Sequence, residues 1–352
     1  MILPGRCRGG KLQILGNALV VLALFAGTHA LALGSVDLNP GAWAAPWTGD
    51  VVVVSAGLLF LGLAFLFPLH GGLLNLGIHA QFLVGYAAGA AVVRSQIVDP
   101  TAQAWLALVA GVLAGGATGL LIAWLKQKLA IHEVLSGLLL SAAFMPLGRA
   151  LTVDRVTPPA LTIELGAFAT PFQFAPGLSL PPSFVLTWGI LLLSAALVIG
   201  LLFAHVLRNA VAGFAVRATG ANPLAAVATG VEVERVQLVL LLLGGACAGL
   251  TGALQLWTQP AVMLERWPFP LGFAGMVVAF LGLGSVRGAL LAALVLAAWL
   301  NTPGAAAVLQ HPGWGAAIAF VLLSPALWAL PRLLPEQGAP RSIWRTRHRE
   351  PI

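Results

Sequence analysis

Arg217-Ala218-Thr219-Gly220-Ala221-Asn222-Pro223-Leu224-Ala225-Ala226-Val227-Ala228-Thr229-Gly230 is a polar interlude that continues through Glu232, Glu234 and Arg235. It separates two long apolar runs, residues 184–207 and 236–257. Each run reaches the roughly 20 residues that a helix needs to cross a bilayer. Asn222-Pro223 opens a short helix, because proline at the first helical position gives up only a donor that lacks a partner anyway. Leu224-Ala225-Ala226 favours helix, and Gly230 can end it in the left-handed conformation. Such a helix, set between two spans, suits docking of another protein. An ordinary inter-span loop is the plainer alternative.

Composition extends this to the whole chain. Hydrophobic residues make up 59% of 352 and charged residues 8%, with a mean hydropathy of +0.96. Soluble proteins carry roughly 25% charge, so the chain is a polytopic membrane protein. A net charge of +7 and a pI near 10.7 would suit nucleic acid. The basic residues sit beside apolar spans, however, and act as topology signals, so no nucleic-acid partner is expected. Cys7 and Cys247 are too far apart in sequence to suggest a metal spacing or a disulfide framework.

Arg6, Arg8 and Lys11 precede an apolar run at 12–33. Ala30-Leu31-Ala32 has the form of a signal cleavage site, but the run exceeds the roughly 7–15 apolar residues of a signal core. A retained first helix is expected, with its amino end in the cytoplasm. Gly5 to Lys11 matches most of a phosphate-binding loop, yet Leu12 stands where Ser or Thr should hold magnesium and no strand precedes it. No nucleotide site is therefore expected. A second span at 51–69 is broken at Pro68-Leu69-His70-Gly71-Gly72. Asn75, His79 and Gln81 follow, polar groups inside or beside apolar helix and next to glycines. Interrupted helices and polar residues at membrane depth tend to line a pathway, because lipid cannot satisfy them. Bonding across a packed helix interface is the alternative.

In the fourth span, 105–125, glycines at 111, 115 and 119 permit close packing. Glu133 opens the fifth span as a helix cap or a salt-bridge partner for a cytoplasmic arginine, in preference to a proton carrier. Residues 148–182 hold six prolines and form an external loop that could meet a partner outside. Gly245 and Gly249 make another close-packing step, while Gln255 and Trp257 stand at the outer, interfacial end of their span. Stretches 272–283 and 288–300 are short for spans and suit broken helices lining the pathway. Residues 315–334 form the last span. The expected fold is thus an all-α transmembrane bundle of eight to ten spans, comprising residues 1–340, with a basic tail at 341–352. All 18 basic residues except Arg94, Arg149, Arg155 and Arg266 then fall on the side of both termini and of the loop 208–235, which places these in the cytoplasm.

The interlude resembles the R-A-x-G-x-N-x-x-A-A…G-I segment of bacterial ABC importer permeases, the group serving simple sugars and nucleosides and related to branched-chain amino acid permeases. Three further stretches agree in order. Asn75-Leu76-Gly77-Ile78-His79-Ala80-Gln81 is similar to N-I-G-x-E-G-Q, and His132-Glu133-Val134-Leu135-Ser136 to N-E-V-I-S. Residues 272–282 are similar to G-F-x-G-I-A-V-A-L-L-G. The chain departs from the pattern at His79-Ala80, His132, Gly137, Ser141, Leu224 and Val227.

The resemblance implies a transport subunit without a catalytic or metal site, paired with a second permease that is identical or different. A separate cytoplasmic ABC ATPase would use ATP and grip the coupling helix through Arg217, Gly220, Asn222, Pro223, Ala225, Ala226 and Gly230. A periplasmic or lipid-anchored binding protein would deliver a neutral polar solute at the inner membrane. The pathway would pass Asn75, His79, Gln81 and Gln255, with Glu133 a structural or coupling carboxylate. An ion-coupled secondary transporter is the alternative, but it needs intramembrane carboxylates or histidines, for which only Glu133 and His79 are available. A membrane enzyme would need a catalytic set, and H-E-x-x-H and G-x-S-x-G are both absent.

Overall fold

A computed structural model describes residues 49–95, 99–152, 182–257 and 271–300. The expected first and last spans, most of the expected external loop and the basic tail lie outside the described residues. Within them all regular structure is helical. Four stretches are long and apolar enough to cross a membrane: Val51–His70, Pro100–Leu129, Ser183–Asn209 and Val233–Trp257.

Helix α1, Gly49–His70, is apolar on every side. A helix of that kind is stable only when surrounded. It forms the axis of the core, with Leu58, Leu59, Leu61, Leu63 and Phe65 fully buried. On one side it meets α5, Pro182–Asn209, and the hairpin of α9, Ala274–Leu281, and α10, Val286–Leu300. On the other it meets α8, Val233–Leu254. Although α5 is as apolar as α1, it leaves Leu186, Ile190, Val198 and Leu202 exposed.

Helix α8 threads between α2, Ile78–Ser95, and α3, Pro100–Leu129. The glycine steps make this possible. Gly249 lies against Gly85 of α2 and against Gly111 and Gly115 of α3, while Gly245 lies against Gly115 and Gly119. A Cβ on Gly249 would strike the Gly111 carbonyl oxygen. Backbones so close gain dispersion and weak Cα–H···O contacts. Asp99 caps α3, its carboxylate accepting from Ala102 N–H at 3.1 Å, with Pro100 at the first helical position. Helix α4, Glu133–Thr152, packs on α2. It continues past Gly148, so the expected external loop starts later than composition suggests.

The stretches 272–283 and 288–300 are separate elements. A 3-10 turn, Leu271–Phe273, leads into α9, and Leu283 (φ 54°) and Gly284 (φ 68°) reverse the chain into α10. Ser285 Oγ accepts from Gly288 N–H at 3.2 Å and caps α10. Trp257 is buried rather than interfacial. Its ring packs edge-on against Trp105 at 5.2 Å and its indole N–H donates to the Ala104 carbonyl at 3.4 Å. Trp188 and Phe184 of α5 complete the cluster, because three helices deliver aromatics to one end of the bundle, where they bury each other.

Candidate functional site

The site begins with a proline. Pro68 lacks the N–H that would bond the carbonyl of Ala64 one turn earlier. Beyond it the helix closes in a Schellman turn, with Leu73 N–H donating to the Pro68 carbonyl, Gly72 N–H to that of Leu69, and Gly72 at φ 76°. The chain then runs back beside α1 without helical structure until Asn75 reaches the vacated carbonyl. Asn75 Nδ2 donates to Ala64 O at 3.2 Å and to Gln81 Oε1 at 2.9 Å. Gln81 Nε2 returns a bond to Asn75 Oδ1 at 3.3 Å. Both amides are fully buried and closed on each other.

Helix α2 therefore starts inside the bundle. Its first turn is held by α4, where Ser141 Oγ accepts from Ala80 N–H at 3.2 Å and Gly137 lies directly on Gly77. Gly137 and Ser141, two of the departures from the family pattern, thus form the contact that fixes this start. The beginning of α9 lies at the same level, with Gly275 against Leu61 and Ile78, and Gly272 against the backbone of His79. Leu61 is nine residues before the end of α1, about 14 Å inside by helical rise.

His79 stands where these elements meet. It is only 5% exposed, and neither ring nitrogen has a hydrogen-bond partner. Phe82 stacks on the ring at 6.4 Å and 13°, and Phe273 lies at 5.8 Å and 30°. An unpaired buried polar group costs about 1–3 kcal/mol. Gln255 is buried too, in the turn after α8. Its neighbour Leu256 packs at Gly89, ten residues along α2 from His79 and about 15 Å away by helical rise.

Glu133 lies at the start of α4, buried, with Lys126 Nζ at 2.8 Å and His132 Nδ1 at 3.4 Å. Its partner is a lysine from the end of α3, not an arginine. Close by, Gln127 Nε2 donates to the Glu234 carbonyl at 2.7 Å and ties the end of α3 to the start of α8. Among the described residues no three His, Cys, Asp or Glu side chains gather as a metal site would require.

The interlude carries two helices. Sequence reasoning anticipated α7, Pro223–Ala228, and missed α6, Val211–Ala221. Asn222 Oδ1 accepts from Leu224 N–H at 3.1 Å and Ala225 N–H at 3.2 Å, capping α7. Gly230, at φ 83°, ends it, with Val231 N–H donating to the Ala226 carbonyl. Gly213, Val216 and Gly220, at i, i+3 and i+7, form the inward face of α6. That spacing was the available signal, obscured because 208–235 reads as polar. Gly220 is pressed onto the His70 carbonyl and onto Gly72, the turn that leads to Asn75.

The expected coupling residues divide by face. Gly220 and Ala226 are buried against the rest of the chain, and Pro223 is half-buried. Arg217, Asn222, Ala225 and Gly230 face outward. So do Leu224, 84% exposed, and Val227, 60% exposed, an apolar pair three residues apart on one helix face.

A family model described as "Branched-chain amino acid transport system / permease component" matches residues 48–327. The guanosine ABC transporter permease protein NupP of Bacillus subtilis is 26% identical over 289 residues, covering 80% of this chain and 81% of that protein. The glucose ABC transporter permease protein TsgB13 of Haloferax volcanii is 30% identical over 258 residues, or 70% of this chain and 67% of that protein. The nucleoside ABC transporter permease protein NupB of Lactococcus lactis is 26% identical over 264 residues, covering 70% and 69%. No solved structure matches the chain.

Proposed function

We propose, from the premise that this chain belongs to the family of branched-chain amino acid transport system permease components and is the membrane permease of an ABC importer, that it moves a neutral polar solute, a nucleoside or simple sugar, into the cell. The buried polar cluster supports neutrality, since Asn75, His79 and Gln81 bring no fixed charge to mid-depth. The buried carboxylate of Glu133 is paired with Lys126 and belongs to the α3–α4 junction.

One observation carries the mechanism. A capped helix presents Leu224 and Val227 outward while the adjoining helix seats Gly220 on the turn that leads to the polar cluster. A cytoplasmic ATPase that grips the apolar pair of α7 would pull on α6 and hence on Gly72 and Asn75. ATP then stays with the partner, and this chain binds no cofactor. A second permease subunit completes the pathway, and a binding protein on the outer face of a bacterial inner membrane delivers the solute. Lys126, Lys128, Arg208, Arg217 and Arg235 lie at the helix ends on the side of α7 and support placing that side in the cytoplasm.

Uptake by native cells tests this function. Removing the chain is expected to abolish high-affinity uptake of radiolabelled guanosine or glucose. That uptake is expected to persist when an uncoupler collapses the proton gradient at constant ATP. Uptake that stops with the gradient while ATP holds would establish ion-coupled transport instead.

A further inference from the structure

We infer that His79 is the group that contacts the solute in transit, and that the solute is a nucleoside whose planar base offers its hydrogen-bonding edge to the imidazole. This rests on the importer function proposed above. Of the three polar side chains expected to line the pathway at this level, two are already occupied. Asn75 spends both amide hydrogens on Ala64 and Gln81, and Gln81 bonds back to it. Ser141 is committed to the first turn of α2. Of these described side chains, His79 alone has polar atoms with no hydrogen-bond partner at all, its two buried ring nitrogens.

A neutral imidazole has one donor and one acceptor in the plane of its ring. Here that plane is flanked by the phenyl rings of Phe82 and Phe273. A partner suited to such a place has flat apolar faces and a polar edge, and nucleobases have both. A sugar has hydroxyls around its whole ring and would need several free polar groups, whereas the described residues at this level supply one residue with unpartnered polar atoms. A cation or anion would find no opposite charge among the described residues at this level. Phe273 and Gly272 belong to the turn before α9, so movement of that turn relative to α2 would open and close the contact.

The test uses native cells carrying His79→Gln or His79→Phe at the chromosomal locus, with membrane abundance of each variant measured by immunoblot. Uptake of radiolabelled guanosine and radiolabelled glucose is measured at saturation under ATP-replete conditions. The expected result is chain-dependent guanosine uptake that excess glucose does not inhibit. Per molecule of permease, His79→Phe should lower it at least tenfold, while His79→Gln, which keeps a donor and an acceptor, should retain a third or more. If His79→Phe fails to accumulate, His79→Gln carries the test through selectivity: the preference for guanosine over inosine should shift at least threefold. Chain-dependent glucose uptake without guanosine uptake would overturn the inference and leave the importer function standing. Guanosine uptake indifferent to both substitutions would do the same. Absence of chain-dependent uptake of either probe would overturn the inference together with the proposed solute class.

Discussion

Asn75 and His79 lie four residues apart and answer opposite demands. Asn75 repairs the backbone where Pro68 interrupts α1, so Asn75→Ala strands the Ala64 carbonyl and the Gln81 amide in the interior. A loss of about 2–4 kcal/mol is expected from two such groups, read as a lower unfolding temperature of the detergent-purified protein. An unchanged unfolding temperature would show that the two amides are not structural. Glu133→Gln should cost less, about 1–2 kcal/mol, because Lys126 is a quarter exposed and can turn to water. A larger loss would mean that the pair holds more than the α3–α4 junction. Both polar sites were visible in the sequence as polar residues within apolar helix. Which of them was packing and which was free was not visible. That distinction depends on a carbonyl released by Pro68, which Asn75 reaches only because the chain doubles back.

Between elements, glycine decides how close helices come. Gly249 meets glycines of two helices at once, so Gly249→Val has no direction in which to relax. It should remove most folded protein from the membrane, measured as the fraction that stays monodisperse in mild detergent. A monodisperse variant at wild-type yield would refute the α2–α8–α3 packing. Asn222→Ala removes the cap of α7 at a cost of about 1 kcal/mol and should raise amide hydrogen exchange at Leu224 and Ala225. Exchange at the wild-type rate would show that the cap does not hold the helix. The glycine steps and the limits of α7 were legible because each depends on a local pattern: small residues four apart, Asn-Pro at one end and Gly230 at the other. The roles of α1 and α5 were not. Both are apolar throughout, and only the arrival of α8, α9 and α10 makes one the axis and leaves the other with an exposed face.

At the scale of the molecule, the fold links α6 to the buried polar cluster through short contacts. Gly220 of α6 rests on Gly72, and Gly72 leads by a few residues to Asn75 and His79. A short series of contacts thus joins α6, next to α7, to the polar cluster. The class of fold and the family were legible in composition and in four short motifs. The outward face of α7 was not, since a six-residue helix has too few positions for its pattern to show which side is covered. The most direct test of an ATPase-driven permease is co-purification. The tagged chain is drawn from native membranes in mild detergent, as wild type and as Leu224→Asp with Val227→Asp, two exposed positions whose replacement leaves the inward face intact. An ABC ATPase is expected to accompany the wild type and to be lost from the double variant, while the variant stays monodisperse. A wild type that brings no ATPase, or a double variant that keeps it undiminished, would contradict the account.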